Sequence, residues 1–177
     1  MAKTLIAFFS RAEENYNVGF VKEGNTFKVA RILRELLSKN GVDADLFEIA
    51  PAEGYPADYN GCIALAKKEL ASKARPAIKA DIDISGYDTV YLGYPNWWGD
   101  IPMCVYTFLE KHDFSGKTVV PFCTHEGSGV SGTDGKIKRL CKNATVKQAL
   151  AVRGATAQNE RAKAEKAVDD WLKKSGK

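Results

Sequence analysis

The chain has 177 residues, 45% of them apolar, which is enough for one domain with a sizeable core and too few for two. Lys and Arg number 26 against 22 Asp and Glu, and the surplus of +4 is scattered rather than gathered into a basic block, so a nucleic-acid surface is disfavoured. Cys62, Cys104, Cys123 and Cys141 stand far apart with only His112 and His125 to assist, which signals neither a metal site nor a redox dithiol and points to reduced thiols in the cytoplasm.

Residues 4–9 form the first apolar run, too short for a signal peptide, and no later run reaches membrane-spanning length. The run is continuous rather than alternating, as expected of a strand covered on both faces. A polar stretch through Gly19 follows Ser10 and Arg11, and then Glu23-Gly24-Asn25-Thr26 leads into a helix over 26–38, with Phe27, Ala30, Leu33 and Leu37 on one stripe. Gly24 permits close backbone approach and Asn25 or Thr26 can cap. The free amides of the first turn suit a phosphate, and the same residues equally suit an ordinary capped helix.

A second, less apolar strand is expected over 44–49 and a helix over 60–73, ended before Ala74-Arg75-Pro76; Arg75 reads as structural or as rim. The third strand, 89–94, runs into Pro95-Asn96-Trp97-Trp98-Gly99, which places two adjacent indoles in a loop rather than in a core segment. Such a loop suggests docking of a flat ring, one indole stacking while the other packs, with the backbone amides of Asn96 and Gly99 as edge donors. Pro102 sets the start of a helix over 101–111, and His112 at its end reads as a partner for the terminal carbonyls.

The fourth strand, 118–124, leads into His125-Glu126-Gly127-Ser128-Gly129, too rich in glycine and hydroxyls for packing material. Gly127, Gly129 and Gly132 match G-x-G-x-x-G, yet the acid expected about twenty residues later is missing, and neither a triphosphate loop nor a nucleophile elbow is present. A helix over 133–142, a fifth strand over 146–152 and a helix over 156–174 complete the chain, with Trp171 on an apolar stripe that marks it as a core anchor. This β-α series implies an α/β fold: a five-stranded parallel sheet in the order 2-1-3-4-5 with helices on both faces, and residues 1–177 as a single domain. Ligands of such sheets bind beyond the carboxyl ends of the strands, where these unusual loops lie.

Taken together, Phe9-Ser10-Arg11, Gly24-Asn25-Thr26, the segment Tyr94 to Gly99 and the segment Thr124 to Gly129 resemble the flavodoxin family, in particular a branch with a Tyr-Pro-Asn-Trp-Trp-Gly loop; residues 66–76 also look like that branch. The likeness spans nearly the whole chain. It implies a flavodoxin-like three-layer sandwich that holds flavin mononucleotide (FMN), with the phosphate at Ser10, Arg11, Asn25 and Thr26. The isoalloxazine would sit between Pro95, Asn96, Trp97, Trp98 and Gly99 on one side and Thr124, His125, Glu126, Gly127 and Gly129 on the other. No side chain need be catalytic, because the cofactor carries the chemistry.

The function implied is electron carriage between redox partner proteins or to a small electron acceptor. The alternatives are an NAD(P)H-dependent reductase of quinones or small electrophiles, and a signalling module, although the first strand ends in Phe8-Phe9-Ser10 without the carboxylate that a phosphoacceptor needs. The chain departs from ordinary flavodoxins in two respects. Residues 12–23 split the phosphate loop, with Tyr16 and Asn17 placed to cover the flavin or a partner surface, and the basic balance weakens steering toward basic reductases.

Overall fold

The computed structural model describes residues 2–175. Its main sheet is built on β1 (Thr4–Phe8), which is buried along its whole length. Beside it, in parallel, lie β4 (Ala44–Glu48) and β5 (Thr89–Pro95), with Ile6 opposite both Leu46 and Tyr91. β6 (Thr118–His125) continues the sheet from β5. Counting only the strands of this sheet, the first four lie in the order 2-1-3-4, as the β-α series predicts, while the sheet has six strands instead of the expected five.

The fifth position is divided, in contrast to the continuous strand expected over 146–152. β7 (Thr145–Val146) pairs with Thr118 and Val119, and β8 (Leu150–Arg153) pairs with Phe122 through His125. Pro121 supplies the reason. Lys147 N–H donates to Val119 O, so the backbone groups of position 119 face the fifth strand, and by alternation those of 121 do too. Proline has no N–H to offer there, and the ladder opens at that point.

Alternation along β1 divides the core. Leu5 and Ala7 face a cluster with α3 (Met103–Lys111) and with Ile137 of α4 (Thr133–Leu140). Ile6 and Phe8 face the opposite cluster, built from α1 (Asn25–Lys39), α5 (Gly154–Asn159) and α6 (Arg161–Ser175). α1 buries Val29, Ala30, Leu33, Leu36 and Leu37, a stripe at helical spacing. The final helix expected over 156–174 is broken at Glu160, whose φ of −131° and ψ of 57° leave helical geometry. Trp171 is a core anchor: its indole N–H donates to Gln148 O at 3.2 Å and its ring meets Tyr91 edge-on. His112 departs from expectation, resting on the Phe108 ring with Nε2 3.0 Å from Asp81 Oδ1 instead of engaging the helix carbonyls. Arg75 lies over the Tyr106 ring and pairs with Glu110.

The polar stretch after β1 is not a plain loop. It forms an antiparallel hairpin of β2 (Glu13–Asn15) and β3 (Gly19–Val21), turning through Tyr16, Asn17 and Val18. Asn17 and Gly19 take φ of 65° and 69°, the left-handed values that Asn and Gly tolerate best.

Candidate functional site

A cavity of about 320 Å³ opens beyond the carboxyl ends of β1, β5 and β6, where the strand order reverses. Three separate loops reach it, as does the first half of α2 (Tyr59–Ser72). Of the residues singled out in the sequence, Arg11, Asn25, Pro95, Asn96, Trp97, Trp98, Thr124, His125 and Glu126 line it. Thr26, Gly99, Gly127 and Gly129 do not, and Ser10 lines a smaller neighbouring cavity of about 180 Å³ together with Gly24, Lys22 and Glu48.

The indoles are positioned by a tight reversal. Trp97 and Asp100 exchange backbone hydrogen bonds of 2.9 and 3.1 Å, with φ of 57° at Trp98 and 72° at Gly99 between them. Positive φ at both central positions marks a primed turn, in which glycine is at ease and tryptophan is strained. The backbone through the two indoles is therefore a tight turn. Trp97 packs inward, edge-on to Phe9 at 5.2 Å and to Tyr55 at 4.8 Å. Trp98 stays 52% exposed, with its N–H donating to Ile63 O at 3.2 Å and Lys67 Nζ over its ring.

Asn96 stitches two loops together. Its amide nitrogen donates to Gly129 O and Ser131 Oγ, both at 2.8 Å, and its Oδ1 accepts from Gly99 N–H at 3.0 Å. Its own N–H donates to Thr124 O at 2.8 Å, so the two backbone amides expected to serve as edge donors are both used within the protein. Thr124 is buried, and its hydroxyl lies 2.7 Å from that of Thr26.

At the other end of the cavity α1 begins without a cap from its own N-cap residue. Gly24 is the capping residue in place of Asn25 or Thr26, and the first turn holds no acid. A Cβ on Gly24 would stand 2.2 Å from Ser10 Oγ, so only glycine allows the β1 loop to close against the helix. Ser10 Oγ accepts from Phe27 N–H at 3.0 Å. Asn25 instead accepts through Oδ1 from Gln158 at 2.9 Å.

Arg11 differs most from its expected role. Its guanidinium donates to the carbonyls of Glu14, Pro56 and Ala57, bracing the hairpin against the segment before α2. Its Nε alone is buried without a hydrogen-bond partner among the described residues. Glu126 is likewise occupied: Oε1 accepts from Ala155 N–H at 2.7 Å, and Oε2 accepts from Asn17 at 3.2 Å with Arg153 nearby at 3.7 Å. The His125 imidazole is held below its usual 6.5, first by burial, with Arg153 adding to the effect and Glu126 opposing it. Its Nδ1 accepts from Gly127 N–H at 2.9 Å, which requires that nitrogen to be unprotonated.

Sequence reasoning missed Asn15, Tyr59, Cys62, Ile63 and Ala66 as lining residues. The four on α2 read as an ordinary amphipathic surface, and only the tertiary position of that helix turns them to the cavity. Among the described residues, no group of three or more His, Cys, Asp or Glu could hold a metal ion, and no helix is long and apolar enough to cross a membrane.

A family model described as Flavodoxin matches residues 14–174 of the chain. A search of curated proteins finds no match. Among solved structures, a candidate flavoprotein from Bacteroides eggerthii DSM 20697 is 32% identical over 100% of this chain and 99% of its own, with a TM-score of 0.72. A second, from Bacteroides uniformis ATCC 8492, is 29% identical over 97% of this chain and 98% of its own, with a TM-score of 0.71. A flavoprotein from Lactobacillus acidophilus NCFM, solved in complex with FMN, is 21% identical over 92% of this chain and 99% of its own; its TM-score of 0.64 shows a shared fold.

Proposed function

The chain belongs to the flavodoxin family, and on that premise we propose that it binds flavin mononucleotide and carries electrons between redox partners. The observation that carries this reading is the meeting, in one cavity, of an indole wall with a helix N-terminus whose N-cap is a glycine and whose first turn holds no acid. The residues fit the cofactor at both ends. α1 presents first-turn amide donors and partial positive charge to a phosphate, and Asn25 of that turn lines the cavity. Trp97 and Trp98 supply aromatic faces for a flat ring, and a cavity of about 320 Å³ lies within the usual range for ligand sites.

Bound FMN supplies the electron uptake and release. The protein's own part is to orient and to shield. Asn96 locks the Trp loop to the loop after β6, and the Thr26–Thr124 contact fixes the phosphate end relative to the ring end. Glu126, tied to α5 and the hairpin, sets a fixed negative charge beside the cavity. The four buried free thiols suit a reducing compartment, so the cytoplasm is the setting for this activity.

The test is the absorbance spectrum of the purified chain, followed by titration with FMN and with riboflavin. Retained yellow colour and an FMN affinity at least about tenfold above that of riboflavin are expected, since a gripped phosphate contributes charge-assisted hydrogen bonds. Equal affinities would remove the phosphate placement, and a colourless chain that refuses both would end the reading. A second reading, a nicotinamide-dependent reductase of small electrophiles, is favoured by the hairpin across the cavity mouth; anaerobic bleaching of the holoprotein by NADH or NADPH alone separates it from simple carriage.

A further inference from the structure

The surplus positive charge has one main address in the fold, in contrast to the scatter expected from the sequence. Residues 133–142, made up of α4 and the two residues after it, hold the cations Lys136, Lys138, Arg139 and Lys142 against the single acid Asp134, so this short segment supplies +3 of the chain's +4. Thr133, Ile137 and Cys141 are buried at helical spacing, which turns Lys138, Arg139 and Lys142 to solvent. Among the described residues these three have no ion-pair partner. The layer on the opposite face of the sheet differs: Lys39 pairs with Glu165, Arg161 with Glu35, Lys166 with Asp170 and Lys173 with Asp169. The C-terminus of α4 favours Lys138 and Arg139 in its last turn, but Lys142 follows four residues after Lys138, where like charges repel.

This face adjoins the ring end of the candidate site. Lys136 Nζ lies 2.6 Å from Oδ2 of the buried Asp100, which closes the Trp turn, and the Thr133 hydroxyl lies 2.7 Å from that of Tyr94. At about 1.5 Å of rise per residue, Lys142 stands roughly 9 Å along the axis from Lys136. The hairpin has the opposite sign, with Glu13 and Glu14 and no cation over residues 13–21. It is a strap across the mouth, fastened by Tyr59 N–H to Glu14 Oε2 at 2.7 Å and by Asn17 to Glu126 Oε2 at 3.2 Å. Opposite potentials at two edges of one mouth fix how a charged partner lies across it. Resting on the electron-carriage reading above, we propose that the α4 face docks a carboxylate-rich electron-carrier protein, which meets Lys138, Arg139 and Lys142 and brings its redox centre to the ring end of the FMN site. Residues 133–142 hold no aromatic ring on which a nucleic-acid base could stack, which favours a protein.

The experiment follows, anaerobically, the reduction of oxidised holoprotein by plant-type ferredoxin, an acidic protein reduced beforehand and freed of reductant. Its iron–sulfur cluster loses one electron at each docking and bound FMN gains it; two such transfers, with two protons from water, complete the reduction. In the wild type the second-order rate constant falls steeply as salt is raised. At low salt it is about ten-fold lower in Lys138→Glu/Lys142→Glu and within about two-fold of the wild type in Arg34→Glu/Lys174→Glu, which makes the same change of net charge on the opposite layer. FMN affinity stays unchanged in both variants. An unchanged rate constant in Lys138→Glu/Lys142→Glu, or an equal fall in both variants, overturns the proposal. Binding of a single-stranded oligonucleotide that only the α4 variant loses, with ferredoxin rates unaltered, gives the face to nucleic acid and overturns it as well. Carbodiimide coupling of ferredoxin carboxylates to lysine, which needs no cofactor, is expected at Lys138 and Lys142. A chain that retains no FMN ends the electron-carriage reading, whereas absence of those couplings ends the docking face.

Discussion

The hydroxyls of Thr26 and Thr124 lie 2.7 Å apart, both residues buried, joining the first turn of α1 to the end of β6 across 98 positions of sequence. Removing one hydroxyl strands the other without a partner. Thr26→Val is therefore expected to cost about 1–3 kcal/mol, with the double variant Thr26→Val/Thr124→Val costing less than the sum of the two single changes. Urea midpoints at constant slope measure this, and strict additivity would show that the two hydroxyls do not interact.

The two indoles separate stability from ligand affinity. Trp97 packs against Phe9 and Tyr55, so Trp97→Ala is expected to lose stability at the lower end of about 3–5 kcal/mol. Trp98 is half exposed and sits at a positive φ, so Trp98→Ala changes stability by less than about 1 kcal/mol while weakening FMN binding. Denaturation curves and flavin titrations of the two variants check the contrast; a severe loss of stability in Trp98→Ala would contradict it.

His125 makes stability depend on mild acid. Its folded form titrates below the usual 6.5, so between that folded value and 6.5 the unfolded chain binds more protons than the native one. Stability is complete above 6.5 and declines as pH falls through that window. Protonation also competes with the Gly127 N–H for Nδ1. His125→Gln should flatten the curve of unfolding free energy in this range, and an identical decline in the variant would assign the effect to other groups.

The four cysteines are buried and free, with burial pushing the Cys123 and Cys141 thiols up to about 12 and raising those of Cys62 and Cys104 as well. Thiolate is the reactive form, so the native chain is expected to resist Ellman's reagent at mildly alkaline pH and to yield four equivalents only after unfolding. Rapid labelling of the folded protein would show that a thiol is exposed.

Much of this protein was legible along the chain because its causes are local. Continuous apolar runs such as Leu5 to Phe8 and Val119 to Cys123 require cover on both faces, and their alternation with helical stripes leaves a doubly covered parallel sheet as the natural solution. Loop composition then marked the carboxyl edge, where Trp97, Trp98, Thr124 and Asn25 do meet. Pro121 was a legible warning that went unread, because its missing N–H matters only once the neighbour on that side is known.

What tertiary structure alone decided is which polar groups are already spoken for. Arg11 reads as an anion ligand until the carbonyls of Pro56 and Ala57 arrive from 45 and 46 positions away, and Glu126 reads as a bare charge until Asn17 meets it across 109. Chain propensities depend on near neighbours, whereas a hydrogen bond depends on whichever donor the completed fold delivers to within about 3 Å. The strap over the cavity, built entirely from such distant pairings, could be seen only in three dimensions.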